Sequence, residues 1–558
     1  MAKPMPDGLG IQRLVNPSQR RISATMVAMT STLNHEWDAD VGLYGTACQH
    51  QGIHSALPQG MRVHPLRENA RRALELIASD TQAEQARGRQ VLSNVLALQD
   101  SISTSPTFGV WGYFAAEPPA QMVPADYNWA DFIGLTLCQI LHRHTNRLDA
   151  DLLEWARSGL RKACMAIFRR NIHTGYTNIA VKGGVVSACA GELLEDAFLR
   201  SYGTQRMQDW VRDSLREGIN EYNSPTYNLV ALRAIETGLT IMPAGPFRTA
   251  AAQGHRLLWT SLAEHYHVPT GQIAGPFSRC YSDLLKGEVA DLLHAAATPG
   301  AMPGDHPCPD ELRDHFLTPV AAPVERVHAF QAARGQRAAV TGTTWMDDRA
   351  CLGTVSRDTL WWQRRAIIAY WNGEQGSVVA KMRVMKDDRD WASVEGHFRQ
   401  RGPRALLGVN LLTNQGDHHP SLDRPGDGAF PFEQLRLRFE LIGSAVRSEA
   451  HGDTLRLVAG NHVLVIHPLA ASWGKRSGTW SHGTDGNGAF VECCFSQPRQ
   501  AILPLTSDPL HLAAAVEVVA TTSTSATAPQ WRRQEQENTI VWSDVGLELT
   551  WPATAQTY

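Results

Sequence analysis

The sequence predicts an all-helical N-terminal half, arranged as an (α/α) toroid, followed by an antiparallel β-sandwich. Three observations lead there. Residues 64–325 carry apolar positions at a period near 3.6. A proline-rich stretch over 296–325 breaks that period. Beyond it, short β-rich runs alternate with Gly, Asn and Asp turns. At 558 residues the chain exceeds what one core serves, so two domains are expected, 1–325 and 326–558.

The helices follow in order. HPLRENARRALELIASD places Ala70, Ala73, Leu74, Ile77 and Ala78 on one face. QAEQARGRQVLSNVLALQDS does the same with Val91, Leu92, Val95, Leu96 and Leu98. WADFIGLTLCQILHRH, LLEWARSGLRKACMAIFRRNI, AVKGGVVSACAGELLEDAFLRSY and RMQDWVRDSLREGINEY continue the pattern, and PTYNLVALRAIETGL and FRTAAAQGHRLLWTSLAEHYH complete it. Several are apolar on more than one side, as core helices are. Many helices of similar length in series predict helix pairs set in a ring. In the second half, LRLRFEL and TLRLVAG alternate at the strand period. Strands this frequent, including RAIIAYWN, SVVAKMRVM and HVLVIHPL, predict stacked antiparallel sheets.

Composition excludes several classes. A net charge of −3 with no long run of one sign argues against nucleic acid or a polybasic membrane surface. No window approaches a membrane span. The nine cysteines have no CxxC spacing, and the first residues lack an apolar leader core. A reducing, cytoplasmic setting is therefore expected. Close histidine pairs (142/144, 265/267, 418/419) lack HExxH or CxxC partners, so no metal or cofactor is expected. The GTDGNG segment at 483–488 lacks a P-loop lysine and reads as a turn. Asp387-Asp388 and Asp417 read as solvated turns rather than calcium ligands.

Four polar segments stand at predicted helix ends. HTGYTNIAVKGG carries His173, Tyr176 and Asn178; EGINEYNSPTYNLVAL carries Glu221, Asn223 and Tyr227. GQIAGPFSRCYSD carries Arg279 and Tyr281, and GVWGYFAAEPPAQMVPADYNWADF carries Trp111, Asn128 and Trp129. Ser224 and Pro225 fit a helix cap and its first residue. Capping does not account for Glu221, Asn223 and Tyr227 beside them. Helix ends of a toroid surround its central cleft, so such a cluster is expected to face a ligand.

A helical toroid followed by a β-sandwich, with Asn, Tyr and Arg motifs at helix mouths, resembles the polysaccharide lyases of the chondroitin, hyaluronate and heparinase type. The resemblance implies a glycan substrate and β-elimination next to a uronate carboxylate. It implies that Asn178 or Asn223 neutralises the carboxylate, that Tyr227 and Tyr281 transfer protons, and that Arg279 binds the carboxylate or a neighbouring sugar. No histidine follows Asn178 at the chondroitin-type spacing. Heparinase-type enzymes take one from the β domain, where His397 in SVEGHFRQRG is the candidate. Trp111, Asn128, Trp129, His173, Tyr176 and Glu221 are expected to contact substrate. Two other functions remain open: a glycoside hydrolase pairing Glu221 with Asp131 or Asp283, and a non-catalytic glycan binder.

Overall fold

The structure, a computed structural model, describes residues 35–49, 54–298, 306–333, 338–412, 429–496, 502–504, 508–522, 532–536, 539–544 and 546–556. The N-terminal segment, Asp417 and the pair at 418/419 lie outside these. Among the described residues, no helix is long and apolar enough to cross a membrane.

The helical half comprises α1 (Leu66–Ala78), α2 (Gln82–Ala97), α3 (Asn128–Arg143), α4 (Ala150–Arg170) and α5 (Thr177–Leu193). It continues through α6 (Ala197–Glu217), α7 (Pro225–Ile241), α8 (Pro246–His265) and α9 (Glu288–Ala297). Helices pair in sequence, α1 with α2 through α7 with α8. The odd-numbered helices also pack on one another in succession, α1 on α3 on α5 on α7 on α9. Arg71 of α1 lies 3.8 Å from Glu288 of α9, which brings the series back to its start. Helical hairpins reverse direction at each turn, so these inner helices all run the same way and share one N-terminal mouth.

Burial follows this plan. Every residue of α5 from Thr177 to Gly191 is buried, whereas α4 and α6 bury one face only. The continuous period over AVKGG…FLRSY, expected as one helix, is two. Glu195 turns the chain at φ 55°, and the Asp196 carboxylate accepts the backbone N–H groups of Phe198 and Leu199 to start α6. The period runs through the break because both helices bury apolar stripes.

The proline-rich stretch is also more than a tether. Residues Asp310–Leu312 and Asp314–Leu317 are helical, and Leu312 and Phe316 are buried in the helical core. Phe316 packs edge-on to Trp259.

The second half is layered. A sheet of nine strands runs in the order Thr479–Asp485, Gly488–Ser496, Gln434–Ile442, Gly376–Lys386, Ile367–Gly373, Ala350–Val355, Val340–Met346 and Val324–Gln331, with Arg389–Asp390 paired to the side. A sheet of eight strands, built around His462–Trp473, Leu510–Ala520 and Arg404–Leu411, covers it. Pairing within both is antiparallel. Side-chain alternation decides the layering. Leu352, Ala369, Trp371 and Ala380 point into the sandwich core, while Cys351, Ile368, Tyr370 and Val379 join the helical core. One face of the first sheet therefore seals against the toroid. GTDGNG forms a hairpin turn, with Asp485 opposite Gly488.

Candidate functional site

The site begins at the start of α7. The Ser224 hydroxyl accepts the Tyr227 N–H at 3.3 Å, and Pro225 occupies the first helical position. The same hydroxyl donates to the Arg279 carbonyl at 2.7 Å. One cap thus fixes both the helix carrying Tyr227 and the loop carrying Arg279 and Tyr281.

That loop is held from the β half. Phe277 and Arg365 pair as an antiparallel bridge, and the Cys280 N–H donates to the Gln363 carbonyl at 2.8 Å. Gly275 permits the close approach: a Cβ there would stand 2.0 Å from the Ile368 side chain.

The three side chains meet in one cluster. The Tyr227 and Tyr281 hydroxyls are 2.5 Å apart. Arg279 Nη2 donates to both, at 3.2 and 3.3 Å. Its Nε donates to Gln363 Oε1, and its Nη1 lies 4.0 Å from Glu221. Burial and the neighbouring Tyr281 push the Tyr227 phenol well above its usual range, with Arg279 opposing. Burial opposes the Arg279 charge, but Tyr227, Tyr281 and Glu221 outweigh it and keep the guanidinium charged.

Asn178 stands at the second position of α5, whose cap residue Tyr176 makes no side-chain cap bond. Glu221 supplies that cap from the next inner loop. Its carboxylate accepts the Asn178 backbone N–H at 2.7 Å and the side-chain amide at 2.8 and 3.0 Å. A carboxylate suits a helix N-terminus. Burial raises the Glu221 pKa, with Arg279 and Asn178 opposing. Asn128 donates to the Tyr176 hydroxyl at 3.3 Å and accepts from Arg170 at 2.6 Å. Burial, with Glu221 nearby, pushes Tyr176 up to about 12.

These residues line a cavity of about 540 Å³ along the ring axis, which includes Asn128, Trp129, Tyr176, Asn178, Tyr227, Arg279 and Tyr281. A second cavity, of about 670 Å³, continues toward the β half past Asn128, His173, Tyr176, Glu221 and Arg279. Six basic side chains line the first cavity (Arg67, Arg71, Lys182, Arg233, Arg279 and Lys286) against three carboxylates. Each carboxylate is engaged: Glu68 by Arg67, Glu288 by Arg71, and Asp126 by the Tyr113 hydroxyl. The lining therefore favours an anionic ligand.

Three expected residues are elsewhere. Trp111 is 0% exposed, and its indole N–H donates to the Val95 carbonyl, so it anchors core. Asn223 is 1% exposed and adopts φ 48°. Its amide donates to the Ala274 and Pro276 carbonyls at 2.6 and 3.2 Å, which turns it away from the cleft and makes it a turn staple. His397 sits within the second sheet 3.2 Å from Glu395 and lines neither cavity. The carboxylates considered for hydrolysis also fall away. Asp131 faces a separate small cavity, and Asp283 is fixed by Arg365 and Lys381, each at 2.7 Å.

Sequence reasoning missed Gln363, Lys182, Arg67 and His54, all of which line the main cavity. Gln363 gave no local signal, because it arrives from the other half of the chain. Lys182 gave one: it is the sole charged residue in the run 177–191, which is mostly small and apolar.

Comparison with known proteins adds the following. A family model described as a domain of unknown function (DUF8769) matches residues 33–294. No curated protein matches. The chain is similar to the crystal structure of heparinase III at 10% identity, over 88% of this chain and 82% of that one, with a TM-score of 0.43. It is similar to a mutant of the heparan sulfate lyase HepC from Pedobacter heparinus at 9% identity, over 88% and 82%, with a TM-score of 0.36. It is also similar to the Streptomyces coelicolor A3 chondroitin AC lyase in complex with chondroitin sulphate, at 10% identity over 87% and 79%, with a TM-score of 0.44.

Proposed function

We propose that the chain is a lyase that cleaves a uronic-acid glycan by β-elimination at the mouth of the toroid. The observation that carries this reading is the Tyr227–Tyr281–Arg279 cluster at the wall of a cation-lined cavity. A C5 proton beside a carboxylate is weakly acidic, because its loss adds a second negative charge to the same group. Preorganised donors stabilise that charge as it develops. Arg279 borders the place where the carboxylate would lie, and the Asn178 amide beside it would have to turn from Glu221 to join it.

The two phenols divide the proton transfers. With one proton removed from the pair, the phenolate oxygen takes the C5 proton and the other hydroxyl gives its proton to the glycosidic O4. The C5–H and C4–O4 bonds break, while the C4=C5 and O4–H bonds form. The pair ends with as many protons as it began. Arg279 opposes the burial that raises the Tyr227 phenol and so lowers the cost of forming the phenolate. The hydrolytic alternative requires two carboxylates facing each other across the cleft. Glu221 is instead occupied by Asn178.

The test is a panel of uronate glycans followed by near-ultraviolet absorbance, which reports the C4=C5 double bond. Absorbing product supports elimination. New reducing ends without absorbance would replace it with hydrolysis.

A further inference from the structure

We infer that Lys182 forms a second anion subsite one helical turn inside the cavity, which selects glycans carrying a sulfate ester or second carboxylate beyond the uronate. The inference rests on the lyase reading only for the ligand being a glycan.

Position comes first. Lys182 follows Asn178 by four residues on α5, so it points the same way and lies about 6 Å deeper along the ring axis. It lines the main cavity together with Asn178 and Tyr227. A glycan unit whose carboxylate sits at the mouth therefore directs its neighbour's substituents toward Lys182.

Its surroundings come second. Lys182 is 3% exposed, and it is the only charged residue among the buried positions 177–191. Lysine is almost never buried without a partner. Among the described residues, its ammonium meets no hydrogen-bond or ion-pair partner. It rests 3.1 Å from the centroid of the Phe132 ring. A ring face offsets about 2 kcal/mol or somewhat more, still far less than an isolated buried charge loses in hydration. Burial and the neighbouring Arg67 push its pKa well below that of an ordinary lysine, with Asp131 opposing.

None of the nearby charges bonds this ammonium directly. Arg67 flanks the same ring at 5.0 Å, and its own guanidinium is held by Glu68 at 2.8 Å. Asp131 attracts the ammonium through space without bonding it, and feels Arg170 more strongly than Lys182, beside the small cavity that Asp131 and Arg170 line. A purely structural counter-charge would stand against its carboxylate, whereas Lys182 stands against an aromatic ring and an open cavity. An oxyanion entering there would favour the charged form of Lys182 and gain charge-assisted hydrogen bonds from an ammonium that has no other.

The experiment uses the full chain and three unsaturated disaccharides, already products of elimination and inert to further turnover. The first carries one uronate carboxylate, the second adds one sulfate ester, and the third carries two uronates. Calorimetric titration of the wild type is expected to show the second or third binding at least about tenfold tighter than the first, the scale of one charged hydrogen bond. Whichever is tighter identifies the source of the anion. Lys182→Met should reduce its affinity to that of the first, and Lys182→Arg should retain the preference.

Equal affinities across the three, no binding of any, or a preference that survives Lys182→Met would each overturn the subsite. The wild-type comparison decides the matter even if Lys182→Met does not fold. A preference without ultraviolet-absorbing product from polymer would remove the lyase reading and leave the subsite. Product without preference would do the reverse.

Discussion

The hydroxyls of Tyr227 and Tyr281 stand 2.5 Å apart beneath a single nitrogen of Arg279. Arginine brings only donors, so one phenol must donate to the other. This leaves a single hydroxyl proton for the cavity, and the two side chains therefore act as a unit.

Removing either hydroxyl should disable that unit. Tyr227→Phe and Tyr281→Phe are each expected to lower kcat/KM by at least about a hundredfold, with circular dichroism unchanged. The double variant should be about as slow as either single one, because residues acting together are not additive. Losses that multiply in the double variant would show two independent roles.

The pH profile carries the sign of the mechanism. Burial and Tyr281 raise the Tyr227 phenol, and Arg279 lowers it. The singly deprotonated pair therefore accumulates as pH rises, and kcat/KM should climb on the alkaline side. Arg279→Gln removes the opposing charge and should move that limb upward by about one unit or more. A limb that stays in place would detach Arg279 from the phenols.

Asp283 secures the seam between the halves. Burial alone would raise its pKa, but Arg365 and Lys381 outweigh this and hold it well below the usual range. A depressed folded-state pKa adds stability above the unfolded value, about 3.9, and loses it as pH falls through the folded one. Asp283→Ala should cost about 3 kcal/mol or more at neutral pH, since buried Arg365 loses its carboxylate and Lys381 keeps only Glu440 at 3.6 Å. It should also flatten the acid limb of stability in denaturant titrations. An unchanged acid limb would mean that the seam is held by other contacts.

Asn223 should behave as a turn residue. Its φ of 48° suits Asn or Gly and strains other side chains. Asn223→Ala is expected to lower the melting temperature more than Asn223→Gly, although both lose the bonds to Ala274 and Pro276. An equal loss in both would assign the effect to those hydrogen bonds alone.

The sequence announced the helices and strands through their periods, and it announced Ser224–Pro225 because a cap is local chemistry. Asn223 was misread because its neighbours gave no sign of a left-handed turn that points its side chain at residues 274–276. The break at Glu195 hid inside an apolar period that both flanking helices share. Trp111, expected to contact substrate, anchors core instead, and the sequence writes both kinds of indole with the same letter. Gln363 lies 84 residues from the arginine it binds, a separation that no local pattern spans.

The central claim is elimination by the tyrosine pair, and one measurement tests it most directly. Wild type and Tyr227→Phe are incubated with a panel of uronate glycans while near-ultraviolet absorbance and new reducing ends are recorded together. The account predicts that absorbance and reducing ends rise in step for the wild type on at least one glycan, and that both fall at least about a hundredfold in Tyr227→Phe. Reducing ends without absorbance, or a Tyr227→Phe variant as fast as wild type, would contradict it.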